Sequence, residues 1–171
     1  MIRSVGGVLS LVLALTAAAA ASQAAEPWQK MVYSDPRHPS EFTPLVAPLW
    51  QREIAGKPFH QIHAARFEAG GQTYLVSIVF AGEICSMGAN GRNAVAEPAI
   101  CPARVDLLQD GKVVRTTRGK ACSVSPMPED ETGNQADATQ VRLDPVARTV
   151  AFRSLMAGKS VRACQRTLRL P

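Results

Sequence analysis

The chain has 171 residues, 46% of them hydrophobic and 5% aromatic, with 19 Lys and Arg against 14 Asp and Glu for a formal net charge of +5. That size fits one domain with a real core rather than several. The basic excess is concentrated at the end of the chain, where Arg142, Arg148, Arg153, Lys159, Arg162, Arg166 and Arg169 meet the single acid Asp144, but these charges are spaced rather than bunched, which weighs against a nucleic-acid-binding run.

Residues 1–24 read as a secretory signal. Arg3 supplies a positive start, the run from Val5 to Ala21 is apolar or small, and Ser22 and Ala24 place small residues where a signal peptidase reads them. About a third of that run is alanine and two residues are glycine, too weakly apolar for a membrane anchor, so no membrane span is expected after removal of the signal. The expected compartment is the periplasm or the exterior.

Residues 25–58 are expected to form an irregular, proline-rich arm. Pro27, Pro36, Pro39, Pro44, Pro48 and Pro58 forbid a long helix or a central strand, although "LVAPLWQREIAG" has room for one short helix beginning near Pro48. Trp28, Tyr33, Phe42 and Trp50 are expected to pack this arm on the rest of the protein, since a free disordered segment seldom carries four aromatics.

Residues 59–171 read as an antiparallel β domain. Strands over 59–68 and 72–81 flank Gly70-Gly71, and the second is so uniformly apolar that it is expected to be central and covered on both faces. Asp110-Gly111 lies between two further apolar runs, the pair that a two-residue hairpin turn prefers because both positions need φ above zero. The polar stretch "SVSPMPEDETGNQADA" is a loop, "TQVRLDPVARTVAFRSL" is a third hairpin turning at Asp144-Pro145, and "SVRACQRTLRL" is a last strand. About seven strands at hairpin spacing, with no helical crossover, predict an all-β meander folded as a sandwich or small barrel.

The four cysteines Cys85, Cys101, Cys122 and Cys164 are even in number, and 15, 20 and 41 residues separate them in turn. Without a close Cys-x-x-Cys pair they predict two disulfides rather than a zinc site. The favoured pairing is Cys85–Cys101 with Cys122–Cys164. The rival joins Cys101 to Cys122, because counting back from the Asp110-Gly111 turn places Cys101 opposite Lys120 and diagonal to Cys122. Under the first pairing, "SMGANGRNAVAEPAI" is a closed loop with Asn90, Arg92 and Asn93 at its tip, a candidate binding loop in which Arg92 is the reaching cation.

The motifs of hydrolases, zinc proteases and dinucleotide-binding enzymes are absent, and "AGKS" at 157–160 has Arg153 where a phosphate loop needs its first glycine. His60 and His63 are three apart on a predicted strand and so point to opposite faces, unable to share one ion without a bulge; with Met31 and Met87 they offer soft ligands for copper in principle, but nothing in the spacing demands such a site. The acids Glu129, Asp130, Glu131 and Asp137 lack the spacing of a calcium loop. No metal, cofactor or catalytic set is therefore expected.

The expectation is a non-enzymatic exported binding or inhibitory protein. It would use the loop tip and a basic face of Arg142, Arg153, Arg162 and Arg166 to engage an envelope or extracellular protein, or an anionic glycan or lipid. In build alone it is similar to the small exported inhibitors of lysozymes, without their short motifs. The alternative is an accessory component of an envelope complex, assembled through the proline-rich arm.

Overall fold

The computed structural model describes residues 25–86, 98–124 and 137–171. Two five-stranded antiparallel sheets pack as a sandwich. The first contains β2 (Val32–Ser34), β3 (Gln61–Ala69), β4 (Gln72–Phe80), β5 (Ala99–Gln109) and β6 (Lys112–Ser123), in that spatial order. The second runs β1 (Gln29–Lys30), β7 (Ala138–Asp144), β8 (Thr149–Met156) and β10 (Arg166–Arg169), with β9 (Lys159–Ser160) paired to β8.

The expected hairpins are present. Asp110 and Gly111 have φ of 50° and 73°, and Gly70 and Gly71 have 58° and 73°, so both turns use the left-handed region that their residues tolerate. Strand β4 lies at the centre of its sheet. Its Tyr74, Val76 and Ile78 enter the core between the sheets, while Leu75 and Val79 enter a second core on the other face, which is why the segment is apolar at nearly every position.

The arm is not irregular as expected but is built into both sheets, because the residues between Pro27 and Pro36 keep N–H groups for edge pairing. β1 pairs with β7 in one sheet and β2 with β3 in the other, so the chain crosses the sandwich at buried Met31, whose N–H donates to the Thr139 carbonyl at 2.9 Å. Helical structure begins at Thr43, earlier than the sequence predicts, and comes in three short pieces: α1 (Thr43–Val46), a 3₁₀ turn (Ala47–Trp50) and α2 (Gln51–Ile54). Pro44 and Pro48 sit in the first turns of α1 and the 3₁₀ turn, where a missing N–H costs nothing, so these two pieces start around a proline instead of one helix continuing through it.

These pieces cover the outer face of the first sheet. Val46 and Trp50 pack on Ile62, Ala64, Leu75 and Val79, and the Trp50 indole N–H donates to Ser77 Oγ at 2.9 Å. Beside Trp50, buried Arg104 donates to both oxygens of buried Asp106 at 2.7 and 2.6 Å and to the Leu49 carbonyl at 2.6 Å. Thr116 donates to the same carboxylate at 2.6 Å, and Arg118 pairs with Glu53 at 3.0 Å. The arm is thus latched to the sheet by a buried, hydrogen-bonded ion pair with a tryptophan on top of it.

The disulfides are Cys85–Cys101 and Cys122–Cys164. What excludes the rival pairing is a β-bulge. Leu107 faces Arg115 while Leu108 faces Val113, leaving Val114 extra and 49% exposed. The shift places Cys101 opposite Ala121 and Cys122 opposite Ile100, so the pleat sends the side chains of Cys101 and Cys122 to opposite sides of the sheet. On chain-entropy grounds the bonds stabilise by about 3 and 4 kcal/mol for sequence separations of 16 and 42.

The predicted last strand is broken. Ala157 and Gly158, at φ of 47° and 72°, turn β8 into β9, and a 3₁₀ turn at Arg162–Cys164 then swings Cys164 to meet Cys122 on the other sheet before β10 begins. Where β6 passes β10 the fit is tight: a Cβ on Gly119 would lie 2.3 Å from a Leu168 methyl.

Candidate functional site

Along β7 and β8 the apolar residues Val141, Leu143, Val150 and Phe152 enter the core, so the intervening Gln140, Arg142, Ala151 and Arg153 lie on the outer face. In register Gln140 faces Arg153 and Arg142 faces Ala151, which makes the two arginines diagonal neighbours. Strand β1 lies beside β7 with Gln29 opposite Val141, and this brings the preceding residue, Trp28, over that pair. The Arg142 and Arg153 guanidinium carbons lie 4.9 and 4.4 Å from the Trp28 ring centroid.

Trp28 and these two arginines form a wall of a groove of about 510 Å³, and Arg166 at the start of β10 is a third cation lining it. Ser160, Gln165 and Thr167 add hydroxyl and amide groups. Arg153 Nε donates to Gln140 Oε1 at 2.7 Å, and Arg166 Nη1 donates to the Gln165 carbonyl at 3.0 Å. The buried Nε of Arg142 has no hydrogen-bond partner among the described residues. Nor does any of the three arginines form an ion pair with another described residue, so among the described residues the groove gathers positive charge without a carboxylate to neutralise it.

Of the four arginines expected to make a basic face, three line this groove; Arg162 lies on the exposed 3₁₀ turn and does not line it. Trp28 is a member the sequence reading missed, having counted it only among the packing aromatics. No local spacing links residue 28 to residues 142 and 153, and only the pairing of β1 with β7 joins them.

The candidate binding loop lies partly beyond reach: Asn90, Arg92 and Asn93 fall outside the described residues. Its base is described. It is held by the Cys85–Cys101 bond and by two hydrogen bonds of 2.9 Å between the backbones of Ser86 and Ile100. Nearby, Phe59 is 79% exposed and stands between two depressions, one of about 370 Å³ lined in part by Tyr33, Pro36, His60 and Phe80, and one of about 310 Å³ lined by Lys57, Ala81 and Glu83 among others.

At the first depression the Tyr33 hydroxyl donates to Asp35 Oδ2 at 2.7 Å, while the backbone N–H groups of Arg37 and His38 donate to Oδ1 at 2.7 and 2.8 Å. The Tyr33 hydroxyl foremost, with His38, holds the Asp35 carboxyl well below the usual carboxylate range. Burial, reinforced by Asp35, pushes the Tyr33 phenol up to about 12.

The two histidines point apart. His60 bonds the Lys57 carbonyl through Nδ1 at 3.0 Å beside Phe59, whereas His63 is buried in the sandwich, edge-on to Tyr33 with ring centroids 5.6 Å apart. Burial pushes the His63 imidazole down to about 4, and its Nε2 has no partner among the described residues. Of the acidic stretch weighed for calcium, Asp137 accepts the Ala157 N–H at 2.7 Å; Glu129, Asp130 and Glu131, like Met87, lie outside the described residues. No helix among the described residues is long and apolar enough to cross a membrane. Compared with known proteins, the chain matches no family model, no curated protein and no solved structure.

Proposed function

We propose that this is an exported, non-enzymatic binding protein that engages an anionic ligand or partner through the groove of Trp28, Arg142, Arg153 and Arg166. One observation carries the reading: three guanidinium groups converge on one concave surface with no carboxylate paired to them among the described residues. Keeping like charges together costs stability that a fold does not need to spend, and an anion arriving from outside offsets it. Two disulfides and the signal-like first 24 residues favour the periplasm or the exterior as the place of action. The loop tip of Asn90, Arg92 and Asn93 is a second proposed contact, presented from a base closed by Cys85–Cys101.

The alternative role, assembly into an envelope complex through the arm, would fall to the exposed Leu45, since Met31, Val46 and Trp50 are buried. The two are separated by passing the mature protein, recovered from an exporting host, over dextran sulfate and over plain dextran. Retention on dextran sulfate alone, lost in Arg142→Gln/Arg153→Gln, is the expected result; retention unchanged by that double substitution would remove the groove from the reading.

A further inference from the structure

We infer that the ligand of this groove is an acidic saccharide, a segment of two or three sugar units carrying carboxylate, phosphate or sulfate groups. This rests on the groove being the binding site. At about 510 Å³ it falls in the size range of small-ligand sites, whereas an acidic protein partner needs roughly 800 Å² of contact surface on each side. A lone inorganic anion would satisfy one arginine fork and leave most of that volume empty.

The walls supply three kinds of contact together. Arg142, Arg153 and Arg166 offer charge, and the first two are held against Trp28, so less freedom is lost when they grip a planar or tetrahedral oxyanion. Ser160, Gln165 and Thr167 line the same groove and offer neutral donors and acceptors, and these match ring hydroxyls. Trp28 and Ala151 add apolar surface, which suits the C–H face of a sugar. An acidic peptide would use the charges but has little use for the neutral hydroxyl and amide groups of the lining.

The test is a calorimetric titration of the full mature protein with tetragalacturonate, maltotetraose and a four-residue glutamate peptide, in wild type and in Arg153→Gln and Arg166→Gln. The second variant alters an exposed side chain whose only hydrogen bond among the described residues is to its neighbour's carbonyl, so its fold is secure. Tetragalacturonate should bind at least tenfold more tightly than either comparator, and each substitution should weaken it about tenfold or more. Equal or tighter binding of the glutamate peptide, still lost in the variants, would overturn the saccharide inference and leave the anion-binding groove standing. Binding of no anionic probe, or binding indifferent to both substitutions, would overturn the groove itself. Vesicles bearing a glucuronosyl glycolipid, set beside vesicles of phosphatidylglycerol, separate the sources. Capture of the glycolipid alone, tighter than the free oligosaccharide, assigns the saccharide to a lipid headgroup; free oligosaccharide binding as well assigns it to a soluble polymer; capture of phosphatidylglycerol equally well overturns the inference.

Discussion

Each of the two tryptophans in this chain carries a pair of arginines, one cluster on the outer face of each sheet, and the clusters differ in what balances the charge. Around Trp50, Arg104 is forked onto Asp106 and capped by the Leu49 carbonyl, and Arg118 has Glu53. Around Trp28, Arg142 and Arg153 have Gln140 between them and no carboxylate among the described residues. The same residue types at similar distances therefore differ in charge balance, and the proposed binding role follows that difference. The neutralised cluster is a latch that holds the arm over the first sheet, and the open cluster is a surface with charge to spare for a ligand.

Stability measurements should break the likeness most visibly at the latch. Asp106→Ala leaves Arg104 buried and unpaired, and urea unfolding should show a loss of about 3–5 kcal/mol. Trp50→Ala empties the second core and should cost about 3–5 kcal/mol. Arg153→Gln in the open cluster removes a partly buried cation that has no ion pair among the described residues but bonds Gln140 and lies against Trp28, so its expected loss in unfolding free energy is about 1 kcal/mol. A loss at Arg153 as large as that at Asp106 would make both clusters structural and remove the reason to assign function to either.

Acid offers a way to sharpen the comparison, because guanidinium groups keep their charge across the working range and the buried His63 does not. The His63 imidazole is held down to about 4, while in the unfolded chain it takes its proton near 6.5. Between these values the unfolded state binds more protons, so stability is full above about 6.5, falls as pH drops through the window, and has lost about 3 kcal/mol below about 4. In His63→Leu that part of the pH dependence should vanish from the unfolding midpoint measured across pH 7 to 3.5. The smallest effect is expected at Arg162→Gln: this exposed residue lies off the groove, so anion retention and stability should both match wild type.

How legible this was follows from the range of each signal. Hairpins were legible because Asp110-Gly111 and Gly70-Gly71 settle a turn within two residues, and the central place of β4 was legible from its own apolar run. The outer-face arginines of β7 and β8 alternate with core residues, so a basic face could be read from period two alone. The disulfide pairing could not be settled, because the single extra residue Val114 inverts the register from which Cys101 and Cys122 are counted, and nothing in the local sequence marks it as a bulge. Trp28 was missed for a similar reason. Its partners lie more than a hundred residues away, and only the two-residue strand β1 brings them together. The split of the last strand also has a distant cause, the reach of Cys164 to Cys122 across the sandwich.

The contrast between the tryptophans can be watched directly in an ¹⁵N-labelled protein, whose two indole N–H groups give two resonances assignable with Trp28→Phe. On titration with tetragalacturonate the Trp28 signal should move and saturate while the Trp50 signal, held on Ser77, stays in place. Movement of the Trp50 signal instead, or no movement of Trp28 while the ligand binds, would contradict the assignment of the open cluster as the binding site.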